Sequence, residues 1–119
     1  MTVRLPEPLT PVPDAAERFA WAEREERTVE GLHICGADLS GTRYEGLRLR
    51  GVLFEDCRLT GCRWERADLG DVVFRRCELS NSGWRDAFWE RTAFADCKAV
   101  GAGPAAGTAA HPAAAGFLP

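Results

Sequence analysis

GLHICGADLSGTRYEGLRLRG, residues 31–51, carries a glycine at every fifth position: 31, 36, 41, 46 and 51. Large apolar residues keep the same interval, from Val29 through Ile34, Leu39, Tyr44, Leu49, Phe54, Leu59, Trp64, Leu69, Phe74, Leu79, Trp84 and Trp89 to Phe94. Two residues before each centre from Ile34 onward lies a mostly smaller one: Leu32, Ala37, Thr42, Leu47, Val52, Cys57, Cys62, Ala67, Val72, Cys77, Ser82, Ala87 and Thr92. Mostly polar and charged residues fill the remaining places. A period of five is neither 3.6 nor 2, so a straight helix or strand would scatter these positions over all its sides. A chain that turns a corner every five residues collects both series inside and leaves the other three residues to water.

The motifs CGADLSG (35–41) and RADLGD (66–71) resemble the pentapeptide-repeat family, whose loose consensus is A(D/N)LXX, and the resemblance covers residues 27–101. It implies an all-β solenoid, a right-handed quadrilateral β-helix with four pentapeptides per coil. Fourteen pentapeptides then make about 3.5 coils, a rod about 17 Å tall at the spacing of neighbouring strands. Tryptophan at centres 64, 84 and 89, with cysteine or valine at several small sites, departs from the consensus and implies a wider interior.

Four pentapeptides per coil would stack residues twenty apart, and the sequence sorts well on that interval. Ile34, Phe54, Phe74 and Phe94 form one column, Leu39, Leu59 and Leu79 another, Tyr44, Trp64 and Trp84 a third, and Val29, Leu49, Leu69 and Trp89 the fourth. Outward charges alternate in sign along Asp38, Arg58, Glu78 and Lys98 and along Asp56, Arg76 and Asp96. Glu55–Arg75, Asp71–Arg91, Arg66–Asp86 and Glu30–Arg50 are further opposite pairs, whereas Glu45–Glu65 and Arg43–Arg63 are like pairs. Opposite charges across neighbouring strands favour a register and like charges oppose it.

The flanks read differently. Four prolines keep residues 1–13 extended, and Asp14 with Glu17 reads as a capping box opening a helix over 14–26. Ala15, Phe19 and Ala22 give that helix an apolar face to cover the first coil, since a solenoid's ends need caps. Residues 102–119 are an Ala/Gly/Pro tail expected to be disordered.

Net charge is -3, all of it in residues 1–26, while residues 27–101 are neutral. This balance points away from direct nucleic-acid binding. No run of about 18 apolar residues is present, and no membrane contact is expected. The N-terminus lacks the apolar core of a secretory signal, and five cysteines are an odd number, so free thiols in a reducing cytoplasm are expected.

Nothing in the pattern calls for a cofactor, a metal or catalysis. Cys57, Cys77 and Cys97 are one stack of small inward residues, and Cys35 is the outward thiol. The histidines His33 and His111 have no nucleophile and acid beside them in the pattern. The candidate interaction surface is the outward column His33, Leu53, Val73 and Ala93 together with outward Phe88. It would dock the N-terminal helix, a second subunit or a foreign partner. Trp84, Trp89 and Phe94 mark a candidate dimer end on the last coil, unless Phe117 and Leu118 fold back to close it. The leading function is a non-catalytic protein-binding or scaffold module whose partner is unknown. From the resemblance alone comes an alternative, since some bacterial members bind DNA gyrase or topoisomerase IV as mimics of a DNA duplex. A cysteine-based redox protein is a second alternative.

Overall fold

The computed structural model describes residues 3–98. Along the chain come β1 (Thr10–Pro11), α1 (Ala15–Glu25), β2 (Thr28–Glu30), β3 (Leu32–Cys35), β4 (Arg43–Glu45), β5 (Arg48–Glu55), β6 (Arg63–Glu65), β7 (Asp68–Arg75) and β8 (Phe88–Ala95). Within the repeat every strand pairs in parallel with residues twenty positions on, as in Ile34 with Phe54, Tyr44 with Trp64, and Leu69 with Trp89. One sheet runs in the order β1–β3–β5–β7–β8 with β2 also on β5, and β4 pairs β6 on another side. Single parallel bridges link Asp38, Arg58, Glu78 and Lys98 on the side between them. The result is a strand-rich solenoid of parallel sheets around one core.

The corners explain the glycines. Every fifth residue from Glu26 to Asp96 has a positive φ, between 49° and 75°. Glycine adopts this left-handed region without strain, and Asp and Asn tolerate it better than other residues. After Gly61 the corners are held by Arg66, Asp71, Arg76, Asn81, Asp86, Arg91 and Asp96. Two of the arginines are tied to the corner one coil below. Arg76 donates through Nε to Asp56 Oδ1 at 2.8 Å and through Nη2 to Oδ2 at 3.2 Å, and Arg91 grips Asp71 likewise at 2.7 and 3.0 Å. These two-pronged bonds hold the carboxyls of Asp56 and Asp71 below their ordinary range.

All four centre columns are buried, from Val29 to Phe94. Phe54, Phe74 and Phe94 lie ring on ring at 4.7 and 5.0 Å, within 8° of parallel. Tyr44, Trp64 and Trp84 meet edge to face across from them. Like rings repeated at strand spacing fill the core without alternating gaps.

The charge ladders form in part. Glu55–Arg75 closes at 3.5 Å, but Arg50 leaves its register partner Glu30 and binds Asp68 Oδ2 at 2.9 Å. The reason is Gly70, which stands opposite Arg50 in the next coil. A Cβ there would sit 3.1 Å from Arg50 Cδ, so the guanidinium lies over the bare backbone and donates to the carbonyls of Leu49 and Asp68. Arg63 does the same over Gly83, donating to the carbonyls of Cys62 and Asn81. Arg43 and Arg63 stand as like partners in register, and Arg66 pairs with Glu45 instead of Asp86.

Helix α1 closes the first end of the rod. Ala15, Phe19 and Ala22 are its buried residues, and the Phe19 ring meets Tyr44, Phe54 and Trp64 at 5.5–5.9 Å. The Tyr44 hydroxyl donates to the carbonyl of Ala16, and Glu23 accepts from the amide of Glu45. The expected capping box is absent: Asp14, at ψ 69°, makes no side-chain cap and contributes only its carbonyl, which accepts from the amide of Arg18. At the other end Glu26 is left-handed at φ 53°, and the amide of Arg27 returns to the carbonyl of Ala22 at 2.8 Å. That C-cap residue is also the first solenoid corner, so helix and repeat join without a linker.

Residues before the helix form a strap along the rod. Thr10 and Val12 donate to the carbonyls of Gly31 and His33, Pro6 lies over Gly31 and Gly51, and the amide of Arg4 reaches Asp71 Oδ1 at 3.0 Å. A Cβ at Gly51 would stand 2.5 Å from Pro6 Cδ, so this corner needs glycine for contact as well as for φ.

Candidate functional site

His33, Leu53, Val73 and Ala93 do line up, in register on β3, β5, β7 and β8. Each is half-buried, and β1 extends the column downward with Pro11 beside His33. Helix α1 does not dock on this stripe; its apolar face is spent on the end of the rod. Phe88 belongs elsewhere. It stacks over Asp68, and the corner at Arg91 separates it from Ala93 on the same strand. At 68 % exposure it is the most exposed large apolar side chain among the described residues, ahead of Trp21, which lies 5.8 Å under the Arg18 guanidinium.

The last coil differs from the uncovered aromatic end that the sequence leads one to expect. Trp84, Trp89 and Phe94 are buried at 1, 3 and 8 % exposure, packed against one another at 5.1–5.6 Å. The neighbour offering itself to solvent at this end is Phe88. Closure by Phe117 and Leu118, the 102–119 tail and His111 lie outside the described residues.

Trp89 carries an unmet polar group. Its indole N–H is buried without a partner among the described residues, whereas Trp64 donates to Thr42 Oγ1 and Trp84 to Ser82 Oγ. The hydroxyls come from small sites two or twenty-two residues earlier, and for Trp89 both of those are alanines, Ala87 and Ala67. Ala87→Ser should therefore stabilise the protein by about 1 kcal/mol, read as a higher midpoint in urea with an unchanged slope.

The thiol stack is regular. Cys57, Cys77 and Cys97 each donate to a carbonyl twenty-three residues earlier, of Ile34, Phe54 and Phe74, at 3.2–3.5 Å. Thr92 does the same toward Leu69. The small site thus suits a residue with a weak donor, which cysteine supplies at little volume. Hydrogen bonding to Cys57 and Cys97, then burial, pushes the Cys77 thiol far up, and burial pushes Cys62 up to about 12. All five cysteines are free and Cys35 alone is exposed. A thiol reagent such as Ellman's should react with one thiol in the native protein and with five after denaturation; rapid reaction of two or more native thiols would revive a redox role.

An open polar groove runs beside Asp56, Arg76, Glu78 and Lys98. Asp56 is held by Arg76, and Glu78 accepts from Ser80, so these carboxylates are engaged in structure.

One cluster escaped the sequence reading. His33 and Cys35 lie two apart on β3 and both face outward, and Glu55 is the register partner of Cys35. His33 Nε2 and Glu55 Oε1 are 3.0 Å apart, and one donor atom from each of the three lies within 4.8 Å of the others. The bond from His33, with Arg76 behind it, holds the Glu55 carboxyl below its ordinary range. The signal was available: a His-x-Cys on an outward face, with a carboxylate one coil of twenty beyond the cysteine.

Among the described residues no helix is long and apolar enough to cross a membrane. Residues 33–103, more than half of the chain, match a family model described as a pentapeptide repeat region. No curated protein matches the chain.

Proposed function

Because the chain belongs to the pentapeptide-repeat family, we propose that it is a protein-binding module without catalysis of its own, engaging its target at the Phe88 end of the solenoid. The family's members are generally non-catalytic interaction proteins. The observation that carries the reading is Phe88, standing 68 % exposed on a strand whose apolar neighbours Trp89 and Phe94 are buried. A large ring kept in water beside a filled core is an anchor without a pocket of its own, and such anchors concentrate binding energy at interfaces. The same end is where a second copy would meet the first. The winding is taken as right-handed over about 3.5 coils, because parallel crossover connections turn that way in about 98 % of cases. Five free thiols fit a reducing cytoplasmic setting.

The paired corners leave the surface without the single-sign charge of a nucleic-acid duplex. The topoisomerase-binding, DNA-mimic reading therefore draws no support from the charges.

Phe88→Glu is the test. The variant should keep its melting curve, being a surface change within about 0.5 kcal/mol, and should lose at least about tenfold in capture of its host partner or in self-association by light scattering. Unchanged capture and unchanged mass would sink the proposal, and replacing Leu53 and Val73 by lysine would then show whether the half-buried stripe carries the contact.

A further inference from the structure

We propose that His33, Cys35 and Glu55 form a zinc-binding site on the outer face of the sheet, with water in the fourth position. Three protein ligands drawn from imidazole, thiolate and carboxylate, plus one open place, are a donor set that zinc accepts. Magnesium and calcium, which need oxygen throughout, are poorly served by it.

The backbone places the donors. His33 and Cys35 flank inward Ile34 on β3, so both side chains leave the same face of the strand. Glu55 follows from the register of β5 beside Cys35. With metal–ligand bonds of about 2.0–2.3 Å in tetrahedral array, the donor atoms would stand roughly 3.3–3.7 Å apart. The present separations, 3.0 Å between His33 and Glu55 and no more than 4.8 Å for any pair, bracket that spacing. Side-chain adjustments of a few tenths of an ångström to about an ångström would close it, with no movement of the sheet. The zinc would take the place of the hydrogen between His33 Nε2 and Glu55 Oε1, and the neutral imidazole would carry its hydrogen on Nδ1 instead, exchanged through solvent.

Glu55 is also held from behind. Its Oε2 accepts from Arg75 at 3.5 Å and from Arg76 at 3.1 Å, which leaves Oε1 toward the site. Outer partners of this kind orient a ligand carboxylate. On the other side the amide of Val12 donates to the carbonyl of His33 at 3.1 Å and fixes the backbone under the imidazole. On binding, the Cys35 thiol loses its proton to solvent, and the thiolate and Glu55 carboxylate together balance the two charges of the metal.

Calorimetry with zinc alone, and cobalt(II) as the spectroscopic probe, tests this on the full chain at pH 7.5. One zinc per chain is expected, with a heat that varies with the buffer because a proton is released. Cobalt should give a thiolate charge-transfer band in the near ultraviolet and tetrahedral bands in the visible. Cys35→Ser should abolish the thiolate band, and His33→Ala should weaken zinc binding at least about tenfold. Both variants should keep the wild-type melting curve without metal, since both side chains point out of the core. His111→Ala, the control at the other histidine, should change nothing. Absence of zinc binding, a thiolate band that survives Cys35→Ser, or affinity indifferent to His33→Ala would each overturn the proposal.

Discussion

Phe19→Ala is expected to destabilise the protein by about 3–5 kcal/mol, a fall in melting temperature of at least about 12 °C for a unit of this size. Phe19 is fully buried and belongs to the helix, yet its ring sits among side chains of the solenoid, against Tyr44, Phe54 and Trp64. Truncation removes three edge-to-face contacts at once and leaves a void at the mouth of the first coils. Besides Phe19 the helix is attached by the small buried side chains of Ala15 and Ala22 and by two hydrogen bonds, from Tyr44 to Ala16 and from Glu45 to Glu23, so its one large anchor carries most of the docking. The helical part of the circular-dichroism signal should therefore melt first, ahead of the sheet signal. A variant that lost less than about 1 kcal/mol and melted in one step would show that the helix caps nothing.

Deletion of Gly61 is expected to abolish cooperative folding, whereas insertion of a second copy of residues 52–71 after Asp71 should be tolerated. Gly61 forms a corner at φ 69°, and its amide donates to the carbonyl of Ser80 at 3.0 Å. Without it, the side leading to Trp64 has four residues to span a distance set for five. If the chain holds its pairing, the corner must open. If it slips by one, Glu65 turns inward where Trp64 was and Arg63 where Cys62 was, and unpaired charges in a core of stacked rings cost several kcal/mol each. Either route exceeds what a unit of marginal stability can absorb. The inserted copy contains twenty residues and so restores every pairing, with a second Phe54 lying between the first and Phe74. Urea melts of the two variants decide the matter: a cooperative transition in the deletion, or none in the insertion, would mean that the twenty-residue register does not govern the fold.

The periodic parts of this molecule were legible because each position repeats its own test. Column partners such as Leu49 and Leu69, or Phe54 and Phe74, share an environment, so similar residues recur at a fixed interval. The corners were half legible. Glycine at 31 to 51 announces them, but Asp71 and Arg91 at the same turn look like ordinary surface charges. What does not repeat was not legible. The pairing of Arg50 with Asp68 depends on the accident of Gly70 in the next coil, the burial of Trp89 on its neighbours at the end of the rod, and the cluster of His33, Cys35 and Glu55 on a juxtaposition that occurs once among the described residues. The N-terminal prolines said only that their segment is extended, without saying where it lies.

The strap has a consequence for the order in which the molecule is assembled. Solenoid contacts join residues about twenty apart and form as soon as each new turn emerges, but Arg4 meets Asp71 across 67 positions. During synthesis Thr10 and Val12 pair as soon as Gly31 and His33 have emerged, but the Arg4 end of the segment must wait for its anchor at Asp71 until the third turn is out of the ribosome. Until then the strap covers the growing rod only as far as the turns already made, and its Arg4 end is without its anchor.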